Sequence, residues 1–442
     1  MAEKYESAVL QELAWRGFIK QITHEELDQA LTQEGITLYC GFDPTARSLH
    51  VGNLIGIMAL VHFQRHGHHA LGLVGGATGR IGDPSGKDEE RELLAEETLA
   101  ENIAAIETQL NDISHRAASA GDGDGDGGME IVNNATWLEG VSFLDFLRAV
   151  GKHFSVNAMM SKESVRARLQ EREQGISYTE FSYMLIQAFD YWHLFENRSC
   201  RLQIGGSDQW GNITAGTELI RRKQAGEVDH KAFGLTFPLL TSADGKKLGK
   251  SVGGAIYLDA DLTSPYEFYQ YWVNRDDSDC GKLLRIFTFL PREEIEALEA
   301  TIEAGENRGE VQRKLAFEVT TLIHGRDEAE KVVRASKMLF GEKIEGLSDK
   351  DLKAIFADVP STELSRNRLR DGDLGILEAF TETGLQKSNG AARRLIKQGG
   401  AYLNNEKIDD HSKVLGEDDL ASESMMVLRS GKKKYHVLRF LE

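Results

Sequence analysis

The chain has 442 residues, 41% of them hydrophobic and 28% charged, and a formal net charge of −18. That is a globular composition with length for two to four domains, and too acidic overall for a general nucleic-acid coat. No apolar run approaches the roughly 20 residues that span a bilayer, the opening MAEKYESAVLQELAWRG lacks the order of a signal peptide, and three scattered cysteines (Cys40, Cys200, Cys280) without a CxxC suit a reducing cytoplasm.

In chain order, ITLYCGF (36–42) reads as a buried strand and NLIGIMALVHFQRHG (53–67) as a helix. HALGLVGGAT (69–78) reads as a second strand, and ERELLAEETLAENIAAIETQL as a long helix. EIVNN (130–134), RLQIGG (201–206) and LTFPLL (235–240) are further strands, each flanked by helical segments. The alternation predicts an α/β domain with a Rossmann-like parallel sheet over residues 1–260. From about 261 to 360 strands vanish, which predicts an all-helical domain. A polar stretch (361–375) leads into a small α+β tail over 375–442, with helices in ILEAFTETG and KSNGAARRLIKQGG and strands around AYLNNEKI, MMVLR and YHVLRF.

The tail from Lys387 carries 11 Lys and Arg against 8 Asp and Glu, a basic module on an acidic body, which points to an anionic or RNA partner. By contrast GDGDGDGG (121–128) resembles the start of a calcium loop, but Asn133 stands where the bidentate Glu belongs; it is expected to be an acidic loop.

His50-Val51-Gly52-Asn53 follows a strand and opens a helix. A helix N-terminus offers unpaired N–H groups and a positive dipole end, both suited to phosphate. Gly52 lets a flat base or ribose approach the backbone, and Thr45 and His50 project donors toward the same place. Alone this is a weak signal, since a solvent-facing histidine at a helix start has the same spacing. DGKKLGKS (244–251) adds a Gly-rich loop with Lys246, Lys247, Lys250 and Ser251, mobile point charges suited to a triphosphate. Neither it nor GGATGRIGDPSGK (75–87) fits a Walker loop, and GGATGRIG does not fit GxGxxG.

HxGH-like and KxxKS-like elements in that order, about 200 residues apart, resemble class I aminoacyl-tRNA synthetases. YCGFDPTARSLHVGN, VGGATGRIGDPSG, GKHFSVNAMM, EFSYMLIQAFDY, LQIGGSDQWGNI and SPYEFYQYW together resemble bacterial tyrosyl-tRNA synthetase, nearly end to end. SNGAARRLIKQGGAYLNNEKI resembles the S4 RNA-binding motif. Two departures stand out: Asn53 replaces the second histidine of the first signature, and KLGKS keeps both lysines of the second.

The resemblance implies joining of tyrosine to ATP, carried with Mg²⁺, then transfer to the terminal adenosine of tRNA. It implies Thr45, His50, Lys247 and Lys250 as catalytic donors. Gly41, Asp43, Gly52, Asn53, Gly205, Asp208 and Ser251 would join His50 and the two lysines around ATP. Tyr39 and Asp190 would meet the substrate hydroxyl, and Asp83, Tyr183 and Gln187 its ammonium, with Gln203 and Gln209 lining the pocket. Tyr183, Gln187 and Asp190 lie at i, i+4 and i+7, one helix face, and polar side chains inside the apolar SYMLIQAFDYW cost stability unless they meet polar partners. In the tail, Ser388 is expected to cap a helix bearing Arg393, Arg394 and Lys397, and Lys432, Lys433 and Lys434 to form a basic turn, all facing RNA. A homodimer is implied by the resemblance alone; a cytoplasmic protein with no membrane partner is expected from the cysteines and the lack of an apolar span. The alternatives are a tryptophanyl-tRNA synthetase, a small nucleotidyltransferase, or an inactive synthetase-derived RNA-binding protein.

Overall fold

The computed structural model describes residues 4–83, 85, 94–119, 128–162, 165–166, 176–224, 231–241, 245, 248–251, 254–339, 343–344, 347–356, 359–431 and 434–441. The acidic segment 121–127, Lys246, Lys247, Lys432 and Lys433 lie outside the described residues, as do the side chains of Lys250 and Ser251. The chain forms two compact units, one of residues 1–263 and 267–326, the other of 264–266 and 327–442.

The first unit is built on a six-stranded sheet. Its strands are β1 (Gln21–Ile22), β2 (Thr37–Phe42), β3 (His69–Val74), β4 (Glu130–Asn133), β5 (Cys200–Gly206) and β6 (Phe233–Phe237). Their order is β1-β6-β5-β2-β3-β4, parallel except for β1 against β6. From β2 the chain winds outward through β3 and β4; β5 then returns to the other side of β2. The strand order therefore reverses between β2 and β5, and a crevice opens at their carboxyl ends. The two-residue strand β1 escapes sequence reading because its pattern is too short to register.

Helix Val51–Arg65 links β2 to β3 and buries residues 51 and 54–63 without interruption. A helix that is apolar nearly all round belongs in a core. Helix Glu96–Ser119 precedes β4, helix Tyr178–Arg198 precedes β5, and helix Trp210–Lys223 joins β5 to β6. Two short strands, β7 (Lys250–Ser251) and β8 (Gly254–Ala255), pair as a hairpin. Helices Asp277–Phe287, Arg292–Glu303 and Glu310–His324 follow, as the loss of strand periodicity predicts.

The second unit holds a five-stranded sheet of β9 (Ser361–Ser365), β10 (Ala401–Leu403), β11 (Glu406–Lys407), β12 (Met425–Ser430) and β13 (Lys434–Leu441), in the order β11-β10-β12-β13-β9. Its period-2 alternation is explicit. Met426, Leu428, Leu438 and Phe440 face helices Ile376–Glu382 and Asn389–Lys397. Met425, Val427 and Val437 face Met338, Leu352 and Phe356. The predicted tail elements are all present, but the polar stretch contains a strand. STELS (361–365) pairs in parallel with β13 along the sheet edge. Its side chains are half-buried or exposed throughout, so it offers no apolar pattern, and long-range pairing alone makes it a strand.

Candidate functional site

At the β2/β5 crevice the first unit contains a cleft of about 1010 Å³. It gathers Tyr39, Gly41, Asp43, Thr45, His50, Gly52, Asn53, Asp83, Tyr183, Gln187, Asp190, Gln203, Gly205, Asp208 and Gln209, every candidate nucleotide and amino-acid residue outside the lysine loop. The residues come from four stretches of chain (39–53, 83, 183–190 and 203–209), brought together because strand ends and helix starts converge at the crossover point.

The His50-x-Gly52 pair has a structural answer. His50 is the N-cap of helix Val51–Arg65; its Nδ1 accepts from the Gly52 N–H at 3.0 Å, and its own N–H donates to Asn53 Oδ1 at 3.0 Å. The cap fixes the neutral ring with its proton on Nε2, a donor. A Cβ on Gly52 would stand 2.8 Å from His50 Cε1, so the folded-back imidazole requires glycine there. The expectation of unpaired N–H groups at this helix start is corrected: Val51 donates to Ile256 O, Gly52 to the imidazole, and Asn53 to His50 O. An imidazole two residues back satisfies a donor as well as a phosphate does. Asn53 commits its amide oxygen to the cap, which leaves its NH₂ as the group it offers outward.

The KLGKS segment lies against this cap. Gly249 (φ +86°) approaches so closely that a Cβ would fall 2.9 Å from Gly52 N. Its N–H donates to Tyr271 Oη at 2.9 Å, and Ile256 N–H donates to its carbonyl. β7, carrying Lys250 and Ser251, starts from that anchor.

On the opposite side lies a carboxylate chain. Tyr183 Oη donates to Asp43 Oδ2 at 2.9 Å, and Thr78 Oγ1 donates to Asp43 Oδ1 at 3.0 Å. Asn134 Nδ2 donates to Thr78 Oγ1 and, at 2.9 Å, to Asp190 Oδ2. The Trp137 indole Nε1–H donates to Asp190 Oδ1 at 2.8 Å. Burial pushes the Asp190 carboxyl up to about 7, against the pull of these two donors. Burial, with Asp43, Asp83 and Asp190 nearby, raises the Tyr183 phenol. A second network joins Asp83 to Gln209 (2.5 Å), Gln209 to Gln187 (3.2 Å), and Asn212 to both glutamines (3.1 Å). Asp43, grouped by resemblance with the nucleotide, is thus tied to Tyr183.

Two polar atoms have no such partner. Tyr39 and Gln203 are register neighbours on β2 and β5, 1% and 3% exposed, and Tyr39 Oη and Gln203 Oε1 are both buried without a hydrogen bond among the described residues. Burial and Asp190 raise the Tyr39 phenol well above its usual range, so it stays a neutral donor. A buried donor and acceptor left open in a cleft, beside a carboxylate, make a seat for a ligand's polar group.

Sequence reading missed Thr78, Asn134, Trp137 and Asn212. Asn134 is fully buried just past the end of β4; a second asparagine closing EIVNN was the one available signal. In the second unit, Ser388 Oγ accepts from Ala391 N–H at the start of helix Asn389–Lys397, where Arg393, Arg394 and Lys397 are exposed. Lys434 is exposed at the start of β13.

The switch-point cleft, its hydrogen-bonded pocket and the lysine-bearing hairpin fall within residues 31–341, which match the family model for tRNA synthetases class I (W and Y). Residues 351–438 match the tyrosine–tRNA ligase SYY-like C-terminal domain. The tyrosine–tRNA ligase of Opitutus terrae is 48% identical over 434 residues, covering 98% of this chain and 100% of that protein. That of Geobacillus kaustophilus is also 48% identical, covering 98% and 99%. Among solved structures, a C-terminally truncated mitochondrial tyrosyl-tRNA synthetase from Aspergillus nidulans superposes with a TM-score of 0.68 at 33% identity, over 76% of this chain and 95% of that one. The chain belongs to the tyrosine–tRNA ligase family.

Proposed function

We propose that the cleft activates tyrosine with ATP, giving tyrosyl-adenylate and pyrophosphate, and then passes the tyrosyl group to the 3′-terminal adenosine of tRNA(Tyr). The observation that carries the amino-acid choice is the open pair Tyr39 Oη and Gln203 Oε1 beside Asp190. A phenol hydroxyl both donates and accepts, so it can give its proton to Asp190 and accept from Tyr39. An indole N–H only donates and would leave the Tyr39 O–H without an acceptor, which favours tyrosine over tryptophan. The ammonium fits the Asp83, Tyr183 and Gln187 side, where carboxylates concentrate.

No enzyme nucleophile is required. The tyrosine carboxylate attacks the α-phosphorus, the bond to the bridging oxygen breaks, and pyrophosphate leaves. Catalysis is positioning plus stabilisation of charge on the phosphates. Thr45 and the Nε2–H of His50 are donors on the cleft wall; Lys250 and Ser251 begin the hairpin that starts from Gly249 beside the same cap, and Lys247 joins them on the phosphates. Mg²⁺ arrives on the nucleotide as part of the substrate. Gly41, Gly52 and Gly205 present backbone to the adenosine, with Asn53 and Asp208 reaching its ribose. In the second step the tRNA hydroxyl attacks the tyrosyl carbonyl and AMP leaves. Arg393, Arg394, Lys397 and Lys432 to Lys434 hold tRNA phosphates in the 375–442 domain, with the 261–360 helices on the anticodon side.

In this reading the chain works as a cytoplasmic homodimer. Phe143 (63% exposed), Leu144, Val156 and Met160 of the first unit are apolar surface for a second copy to cover. Among the described residues no helix is long and apolar enough to cross a membrane. Amino-acid-dependent exchange of labelled pyrophosphate into ATP, scanned over all amino acids, tests the assignment. Tyrosine alone should support rapid exchange; tryptophan support or no exchange overturns it.

A further inference from the structure

The Asp190 carboxylate is gripped from one side by a residue that never touches the cleft. Asp190 and His193 sit at i and i+3 of helix Tyr178–Arg198, on one face. Trp137 lies across both. Its indole N–H donates to Asp190 Oδ1 at 2.8 Å, and its ring stacks on the His193 imidazole with centroids 4.6 Å apart and planes 12° from parallel. Trp137 comes from the short helix Ala135–Leu138, which follows β4 and has no buried residue of its own. Its own helix therefore does not bury the indole; the ring is half-buried, packed against the clusters that hold Leu194 and Phe189. The N–H bond constrains one edge of the ring, and the stacked imidazole covers a face.

The His193 ring has neighbours of its own. Asn197 Nδ2, which donates to the His193 carbonyl at 2.8 Å, lies 3.4 Å from the imidazole Nδ1, and the Phe189 ring lies 6.4 Å from the imidazole. Burial, with Arg198 nearby, lowers the His193 pKa, so the stack is one of two neutral flat rings. A hydrogen bond to a carboxylate depends steeply on donor angle, so an indole free to tilt would weaken its hold on Asp190.

We propose that His193 is a positioning residue for amino-acid selection: it clamps the Trp137 indole face-on, keeps its N–H on Asp190, and so sets how strongly Asp190 accepts the substrate's phenol hydroxyl. The inference rests on the reading of Asp190 as that acceptor. His193 makes no contact with substrate in this scheme; a flat ring at position 193 is what the clamp requires, and the imidazole's proton is not.

Pyrophosphate exchange with tyrosine, phenylalanine and ATP varied separately tests it. His193→Ala should raise the tyrosine KM roughly three- to tenfold, the scale of one lost aromatic pair, and lower the tyrosine-to-phenylalanine ratio of kcat/KM. The ATP KM and the kcat should change by less than about twofold. His193→Phe should restore both tyrosine parameters, and His193→Leu should not. The role is overturned if His193→Ala leaves the tyrosine KM and the ratio unchanged, if it disturbs ATP and tyrosine equally, or if the Phe variant is no better than the Leu variant. Trp137→Phe and Asp190→Asn separate the two readings. If Asp190→Asn leaves the tyrosine-to-phenylalanine ratio intact, the Asp190 reading has failed; if Asp190→Asn and Trp137→Phe lower that ratio while His193→Ala does not, only the role of His193 has failed.

Discussion

Tyr39 and Gln203 stand opposite one another in register on β2 and β5, and each buries a polar side-chain atom that has no hydrogen-bond partner among the described residues. Unpaired buried groups cost roughly 1–3 kcal/mol each, so the free enzyme carries a strain that the right ligand relieves. Tyr39→Phe should leave the unliganded protein no less stable by thermal melting. It should also lower kcat/KM for tyrosine about tenfold, the scale of one neutral hydrogen bond, and hardly alter that for phenylalanine. An unchanged ratio between the two amino acids would show that Tyr39 does not read the hydroxyl.

Asp190 gives the site a pH dependence. Its carboxyl is raised from 3.8 to about 7 in the folded protein, chiefly by burial. Only the ionised form is a pure acceptor, so kcat/KM for tyrosine should fall as pH drops through about 7, with no matching limb in the ATP dependence. Asn134→Ala removes a donor to the carboxylate and should move that limb to higher pH. The stability linkage runs in the opposite sense. A raised folded pKa makes Asp190 most favourable below 3.8, and that contribution is lost as pH rises through about 7. Asp190→Asn should therefore gain stability relative to wild type between pH 4 and 8, although activity is lost.

The cap and the imidazole donor at His50 can be separated. Asparagine is a good N-cap, so His50→Asn should keep thermal stability near wild type while slowing activation. Gly52→Ala puts a Cβ 2.8 Å from His50 Cε1 and should damage both, costing about 1 kcal/mol or more of stability as the cap opens. Should His50→Asn activate tyrosine at the wild-type rate, the histidine is a cap and nothing more.

Lys247 and Lys250 are expected to meet pyrophosphate chiefly in the transition state. Lys250→Ala should reduce the single-turnover activation rate by about 10²–10³ with tyrosine affinity intact, the scale for one lost charge-stabilising donor. Normal activation by that variant removes the hairpin from the mechanism.

The C-terminal test has to respect the units. Cutting at residue 375 would leave β9 without β13 and expose Met338, Leu352 and Phe356. Ending the chain at Arg326 removes the second unit apart from residues 264–266. That protein should retain pyrophosphate exchange and lose aminoacylation. In the full chain, tRNA affinity should fall steeply with salt, as phosphate contacts require. A shortened protein that charges tRNA as well as the parent contradicts the tail's role.

The sequence by itself determined the parallel α/β core, the helical segment and the tail's elements, because strand and helix periodicity are local and burial follows from them. It also located His50-x-Gly52 at a helix start and put Tyr183, Gln187 and Asp190 on one helix face, since both are matters of spacing along one element. Tertiary structure decided who bonds to whom. Asp190 meets Trp137 and Asn134 from 53 and 56 residues away, Tyr183 meets Asp43 across 140, and Tyr39 faces Gln203 only because β5 returns beside β2. Nor could spacing tell that the imidazole would take the Gly52 N–H itself, or that the polar STELS would become a strand. A hydrogen bond fixes a donor and an acceptor to within a few tenths of an ångström, and for residues so far apart in the chain that precision exists only once the sheet register and helix placements are set.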